Sequence, residues 1–414
     1  MTYSASFAIN STSFRDAATW ALKGFEPNAD NSYILFEVDT KKSVLAVSSV
    51  SLQYYFKDTV GLDSFEYLDS DEDAFRSSKD DTIRFAVDGG VLSRVVSVLP
   101  KGKNMKVKES VKNGMRTLTL AVPGQRFELS LLENKRPPAS PEITVLGETQ
   151  ASDLSYALKS LTRISDVSGA SAVPALGALA FKVNSDDDKL DVMATDTYAL
   201  AEVKLGFSAE DSDDDADEDE DASFLIHSTD AALLVKDAMD PESTIELGVD
   251  SNQKVAFLFG NGRIACVSKL DEEPIDYQSF KREREDEKSV VVDTRAFSDA
   301  VKVANKLSWE TDDVFVTLSE NSLVVTNTEN SSTIEVPYNE ELTDTDSLEL
   351  GDEGLETNFS YTVISKSFHP ILTPHMKISF VTNDQFFRAT PVLDSGNDQE
   401  GVFILFVPVI KKRG

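Results

Sequence analysis

The order helix, strands, helix, strands is written three times along this 414-residue chain, and that recurrence limits the fold more than any other feature. Each copy opens on an amphipathic stretch: "STSFRDAATWALKGF" from Ser11, "ASDLSYALKSLTRIS" from Ala151 and "DTRAFSDAVKVANKLS" from Asp293. Apolar residues recur in them at three- and four-residue spacing: Phe14, Ala18, Ala21 and Leu22, then Leu154, Leu158 and Leu161, then Phe297, Val301 and Ala304. That spacing lays one apolar stripe along each helix. Alternating strands follow in "SYILFEVDTKKSVLAVSSVSL", "LAFKVNSDDDKLDVMATDTYALAEVKL" and "VFVTLSENSLVVTNTENSSTIEV", joined by polar turns. A second helix comes next in "GGVLSRVVSVLPKGK", "HSTDAALLVKDAMDP" and "YTVISKSFHPILTPH", the last the least regular. A hairpin closes each copy: "TLTLAVPGQRFELSLL", "KVAFLFGNGRIACVSKL" and "KISFVTNDQFFRATPV".

Two stretches separate the copies. "NKRPPASPE" at 134–142 is proline-rich, and "DEEPIDYQSFKREREDEKS" at 271–289 is proline-punctuated and then densely charged. The expectation is an α+β protein of three repeated domains, 1–142, 143–284 and 285–414, each with two helices packed on antiparallel sheets. No apolar run approaches the ~18 residues that would span a bilayer. The start "MTYSASFAINSTSF" lacks the basic-then-apolar form of a secretory signal, so a cytoplasmic protein with no membrane partner is expected. The lone Cys266 excludes an internal disulfide framework.

The charge pattern is less simple. A formal net charge of -32 argues against nucleic acid as a partner, because phosphate repels a uniformly acidic surface. The run "AEDSDDDADEDEDA" at 209–222 supplies much of the excess and reads as a solvated loop; it lacks the central glycine and closing glutamate of a calcium loop. The first helices, however, repeat cations at helical spacing. Arg15, Thr19 and Lys23 share a face, as do Ser152, Tyr156, Lys159 and Arg163, and again Arg295, Asp299, Lys302 and Lys306. The second helices and their ends add Arg94, Lys101, Lys103, Lys236 and Lys366. On any one helix such residues are an ordinary solvent face. Their return in every copy suggests a shared basic surface within an acidic body.

Signals of catalysis are missing. There is no P-loop, "GNGR" at 260–263 is a hairpin turn, and no G-x-S-x-G elbow occurs. His227, His369 and His375 have no metal-ligand spacing, and Cys266 sits mid-strand as a small core residue. No catalytic residue, cofactor or metal is expected. One local oddity remains. "KLDVMATDTYALAEVKL" begins as a strand at Leu190, Val192 and Ala194, breaks into Thr195, Asp196, Thr197 and Tyr198, and resumes at Leu200 and Val203. A turn would explain the break, and so would a site.

Those residues carry a resemblance. "VMATDTYALA" at 192–201 resembles the "VATDGHRLA" strand of the bacterial β sliding clamp family, the processivity subunits of replicative DNA polymerases. "SKLDEEPIDYQSF" at 268–280 resembles that family's passage at the end of its middle domain; "VFILFVPVI" at 402–410 resembles its closing strand, and "RFELSLL" at 126–132 the end of its first domain. The resemblance covers the chain in order. It implies two subunits in a homodimeric ring, with the helices lining a hole for double-stranded DNA. The cations at Arg15, Lys23, Arg94, Lys101, Lys103, Lys159, Arg163, Lys236, Arg295, Lys302, Lys306 and Lys366 would face the phosphates without reading sequence. It also implies a socket for short peptides of a DNA polymerase and a clamp loader, with Leu176, Thr195, Thr197, Tyr198, Ala199, Leu200, Leu405, Val407, Pro408 and Val409 in its walls and Ser228 and Leu233 near by. Phe127 and Leu129 would meet Leu307 of the partner at the dimer interface. Departures bear on specificity: the family's glycine, histidine and arginine in the socket strand are here Thr197, Tyr198 and Ala199, and its C-terminal arginine is Ile410. The other reading is an acidic clamp-like adaptor or DNA mimic that binds replication proteins without encircling DNA.

Overall fold

The computed structural model describes residues 5–67, 82–112, 115–133, 135, 140–165, 173–184, 187–196, 198–209, 222–235, 242–275, 287–309, 311–327, 332–345, 348, 350, 355–368, 370–381, 386–392 and 402–406. Its helices are α1 (Ser11–Leu22), α2 (Gly89–Val98), α3 (Ala151–Leu161), α4 (Ser228–Val235), α5 (Thr294–Lys306) and α6 (Tyr361–Ser367). They pack in pairs, α1 on α2, α3 on α4 and α5 on α6, and each pair lies on antiparallel strands, so the expected layering occurs three times. The second helices stop where the sequence stops them. α2 ends two residues before Pro100, and α6 ends ahead of Pro370, a residue whose ring disfavours helix just before it. The starts are capped: Asn10 Oδ1 accepts from Thr12 N at 2.8 Å, Asp88 Oδ1 from Val91 N at 2.8 Å and Asp293 Oδ1 from Ala296 N at 2.6 Å. Each such cap is worth ~1 kcal/mol.

The chain divides into two compact units: residues 1–146 with 244–268, and 147–243 with 269–414. In the first, a five-stranded sheet runs Ser64–Tyr67, Ala5–Asn10, Asn104–Lys112, Met115–Val122, Gln125–Ser130, so Gln125–Ser130 is an edge. A second run of strands, Thr82–Val87, Tyr33–Asp39, Val44–Val50 and Tyr54–Gly61, carries the other face of the core. Phe14, Phe36, Phe85 and Leu92 fill the space between.

One pairing was not legible in the repeat pattern. Tyr54–Gly61, from the first copy, pairs antiparallel with Ile264–Leu270, from the second, with Lys57 opposite Ile264 and Tyr54 opposite Val267. Trp20 anchors this joint. It is 2% exposed, lies edge-on to Phe56 (5.3 Å) and Phe259 (5.1 Å), and donates from Nε1 to Ile264 O at 3.2 Å. Lys23 Nζ stands 4.5 Å and the Arg263 guanidinium 5.2 Å from its ring centroid, and Arg263 Nε donates to Asp58 at 2.9 Å. Aromatic contacts of this geometry add ~0.5–1.5 kcal/mol each beyond burial.

Cys266 lies within the joint, opposite Tyr55, fully buried. Burial pushes its thiol up to about 12, so the nucleophilic thiolate is scarce at neutral pH. We expect a small disulfide reagent to label Cys266 at the rate at which the joint opens, at least ~100-fold slower than in denatured protein; labelling at the denatured rate would mean the strands are not paired in solution. Tyr156 is likewise pushed up to about 12 by burial. Both acids hold their protons longer folded than unfolded. Their contribution to stability is therefore complete below their ordinary values and is lost as pH rises towards 12.

In the second unit, Ala178–Asn184, Lys189–Thr195 and Ala199–Gly206 form consecutive antiparallel strands, with Ser223–His227 on the outer side of the first. Ala199–Gly206 pairs on its far side with Val402–Phe406, which continues to Phe386–Val392, His375–Val381 and Glu287–Asp293. A separate four-stranded sheet runs Thr333–Pro337, Ser322–Asn327, Asp313–Leu318, Leu355–Ser360, leaving Thr333–Pro337 at its edge. Phe297, Phe359, Phe368, Phe380 and Phe387 form one aromatic core under α5 and α6. Most of the acidic run, 210–221, lies outside the described residues.

Candidate functional site

The polar break after Lys189–Thr195 is a turn, built by one carboxylate. Asp196 N donates to Ala199 O at 3.0 Å, while Asp196 Oδ1 accepts from Tyr198 N at 3.1 Å and from Ala199 N at 2.7 Å. This is why aspartate is useful here: its short side chain can stand in for a backbone acceptor two and three residues on. Thr195 Oγ1 donates to Ala199 O at 2.9 Å and closes the base. Asp196 is 5% exposed, and its second oxygen, Oδ2, lies 2.8 Å from Lys366 Nζ on α6. Tyr198, in contrast, is 48% exposed at the tip.

Beside the turn is a shallow dimple of about 10 Å³, partly open to solvent, lined by Ala175, Ala178, Ala180, Met193, Ala194, Thr195, Leu225 and Ile275. It exists because strand positions that face it carry alanine: Ala180 stands opposite Met193 and Leu225 in the two neighbouring ladders. Ala175 sits on the 3-10 turn Pro174–Gly177, whose N–H at Ala175 donates to Glu272 at 3.2 Å. Apart from Thr195, these lining residues were not among the socket residues expected from sequence. The alternation of small residues in "PALGALAF" is the signal that marks them.

The expected socket residues fall as follows. Thr195, Ala199 and Leu200 are buried around the turn, Leu176 is half-buried on the 3-10 turn, and Leu200 also packs in the cluster under the dimple. Leu405 is opposite Leu200 in the strand ladder, so the two stretches expected to share a wall are neighbours in backbone. Ser228 is buried at the first position of α4, and Leu233 is half-buried on that helix. Thr197, Val407, Pro408 and Val409 lie outside the described residues.

The cations divide into two groups. Arg94, Lys101, Lys103, Lys159, Arg163, Arg295, Lys302 and Lys306 are exposed. On α5, Asp299 stands between two of them, 3.8 Å from Arg295 Nε and 3.2 Å from Lys302 Nζ. Lys101 and Lys103 flank the start of α1, because Gly102 N donates to Thr12 Oγ1 and Lys103 N to Ser11 Oγ. The others are engaged within the fold. Arg15 donates to Leu99 O at 3.2 Å, satisfying a carbonyl at the C-terminal end of α2, where positive charge is favoured. Lys23 lies over Trp20, and Lys366 binds Asp196. Lys236 lies outside the described residues.

Of the residues expected at a subunit interface, Leu129 is 1% exposed in its own core, Phe127 is half-buried against the same core, and Leu307 is 48% exposed at the end of α5. Val303 and Trp309 are exposed near Leu307. Among the described residues no three His, Cys, Asp or Glu side chains converge as a metal cage, and no helix is long and apolar enough to cross a membrane.

No protein-family model matches this sequence, and no curated protein sequence matches it. Solved structures do match in fold. A DnaN sliding clamp (DNA polymerase III subunit beta) from Pseudomonas aeruginosa, bound to griselimycin, is 15% identical with a TM-score of 0.75, over 98% of this chain and 100% of that one. The DNA polymerase III beta subunit of Thermotoga maritima is 18% identical at 0.74, over 99% and 100%. A Helicobacter pylori beta clamp bound to a DNA ligase peptide is 15% identical at 0.72, over 98% and 100%. The sliding-clamp fold therefore extends along the whole chain.

Proposed function

We propose that this chain is the subunit of a homodimeric sliding clamp, a ring around duplex DNA that tethers a DNA polymerase and other replication proteins and is set in place by a clamp loader. The observation that carries the reading is the fold likeness, which covers this chain and its relatives from end to end. The element order supports three domains with bounds near 1–142, 143–284 and 285–414. No residue is assigned a catalytic role. The exposed cations of α3, α5 and the 101–103 loop serve as non-specific phosphate contacts, weak enough individually for the ring to move. The turn at Asp196, with Tyr198 at its tip and the dimple beside it, forms part of a socket for a partner peptide. The ligase peptide on the Helicobacter pylori clamp is a precedent for such a ligand.

The dimer contact can be worked out from the two joints inside the chain. Tyr54–Gly61 pairs with Ile264–Leu270, and Ala199–Gly206 pairs with Val402–Phe406. By element order, Thr333–Pro337 is the third counterpart of Tyr54–Gly61 and Ala199–Gly206, and Gln125–Ser130 the third counterpart of Ile264–Leu270 and Val402–Phe406. These two are sheet edges. With the register of the internal joints transferred to a second copy, Thr333 of one copy would lie opposite Arg126 of the other, antiparallel, with Leu307 and its exposed neighbours flanking the seam.

The deciding experiment loads the protein on nicked circular DNA and then linearises the DNA. A clamp stays on the circle and leaves the linear form; loss from both, or retention on both, sinks the reading. The adaptor or DNA-mimic reading is favoured by the net charge of -32 and by the engagement of Arg15 and Lys366 inside the fold. It predicts no retention on either form.

A further inference from the structure

The geometry of the Asp196 turn depends on a charged bond from a distant part of the chain. Both carboxylate oxygens are used: Oδ1 binds the N–H groups of Tyr198 and Ala199, and Oδ2 binds Lys366 Nζ at 2.8 Å. The Asp196 side chain is 4% exposed and that of Lys366 27%. Lys366 is on α6, which is only seven residues long and has little helix stability of its own. Its start is fixed by Asp312, whose Oδ2 accepts from Ser360 Oγ at 2.7 Å and Thr362 Oγ1 at 3.1 Å, while Tyr361 N donates to Asp312 O at 2.7 Å. Those hydroxyls hold the Asp312 carboxyl below the usual carboxylate range, as expected of a charged acceptor in use. α6 is thus a short strap, tied at its start to Asp312 and towards its end to the socket turn.

We propose that Lys366 is a positioning residue for the partner-peptide socket. It fixes the Asp196 turn, and through it the stance of Tyr198, and it does not contact phosphate. The physical reason is desolvation. If the ammonium left for a phosphate, Asp196 would remain a buried carboxylate without its counter-charge, which a folded protein resists strongly. The proposal rests on the peptide-socket reading above and sharpens it, since the turn is held by a residue far along the chain.

Amide hydrogen exchange on the whole protein tests it. Lys366→Met should speed exchange at Tyr198 and Ala199 by about tenfold or more while leaving the amides of Lys189–Thr195 unchanged. Lys366→Arg, which keeps the charge, should restore most of the protection. Asp196→Asn, which keeps one acceptor and drops the charge, serves if Lys366→Met does not fold. Unchanged exchange at both amides in a folded variant overturns the proposal. A second arm measures binding of griselimycin and of the Helicobacter pylori ligase peptide, expected to weaken about tenfold in Lys366→Met and to recover in Lys366→Arg. If wild type binds neither probe but exchange responds as expected, the socket reading fails and the control of the turn by Lys366 stands. Retention on circular DNA should be unaffected by Lys366→Met; its loss, with folding intact, would make Lys366 a phosphate contact and overturn the proposal.

Discussion

Replacing Lys159, Arg163 and Lys302 together with glutamate is expected to reduce retention on circular duplex to the level of the linear control while leaving peptide binding unchanged. All three are exposed, and they lie on α3, or just past its end, and on α5, the first helices of the second and third copies. Lys302 pairs with Asp299 on its own helix at 3.2 Å, an exposed pair whose loss costs little. Their reversal therefore probes the channel and not stability, where exposed charges contribute ~0–1 kcal/mol. In a dimer the substitutions remove six cations and add six anions facing the duplex. If each cation neutralises a phosphate, the slope of log affinity against log salt should also flatten by ~5. Wild-type retention by the triple variant, with an unchanged salt slope, would end the basic-channel reading.

The second large effect is on assembly. Glu128→Pro is expected to turn the proposed dimer into a monomer of 45.4 kDa in light scattering at micromolar concentration. Glu128 is exposed on the edge strand Gln125–Ser130. The hairpin register pairs Gln125 with Val122 and Phe127 with Leu120, so the alternate residues Arg126 and Glu128 direct their N–H groups away from the sheet. The same phase holds at the internal joint, where Ser268 N donates across to Gln53 O at 3.1 Å. Proline at 128 therefore keeps the backbone bonds within the subunit, gives up the exposed Arg126–Glu128 ion pair, and removes one backbone bond at the seam. At ~2 kcal/mol per seam, for the lost bond and the carbonyl left unpaired, two seams weaken closure on the order of 10³-fold. An unaltered dimer would show that the interface lies elsewhere. Glu128→Gln is the control and should remain dimeric.

Much of the layering could be read from the sequence because helix and strand periodicities differ, 3.6 against 2, and the switch between them recurs three times. Helix starts at Asp88 and Asp293 and the stops ahead of Pro100 and Pro370 follow from local chemistry in the same way. Joints between copies could not be read: an edge strand such as Tyr54–Gly61 looks like any half-buried strand, and its neighbour lies some two hundred residues away in Ile264–Leu270. The candidate site was half legible. The break at Thr195–Tyr198 marked the turn, and its polar residues explain themselves once Asp196 is seen to accept two backbone N–H groups. What helical spacing could not reveal is which cations are occupied. Arg15 and Lys23 have the same spacing signature as Lys159, and Lys366 was one of the cations of the second helices, yet the three serve a helix end, an indole and a buried carboxylate.

The acid lodged in the α5 row bears on how such a surface would move along DNA. Asp299 stands within reach of both Arg295 and Lys302, so a phosphate approaching either one competes with a tethered rival already at close range. In the proposed ring each cation would exchange readily between a phosphate and Asp299, because the charge it abandons is replaced from its own helix. On the scale of the duplex this smooths the corrugation a bare row of cations would feel from one phosphate to the next. If the proposed ring forms, a carboxylate that looks like a defect in its DNA-facing stripe would act, in translocation, as a lubricant that keeps friction low.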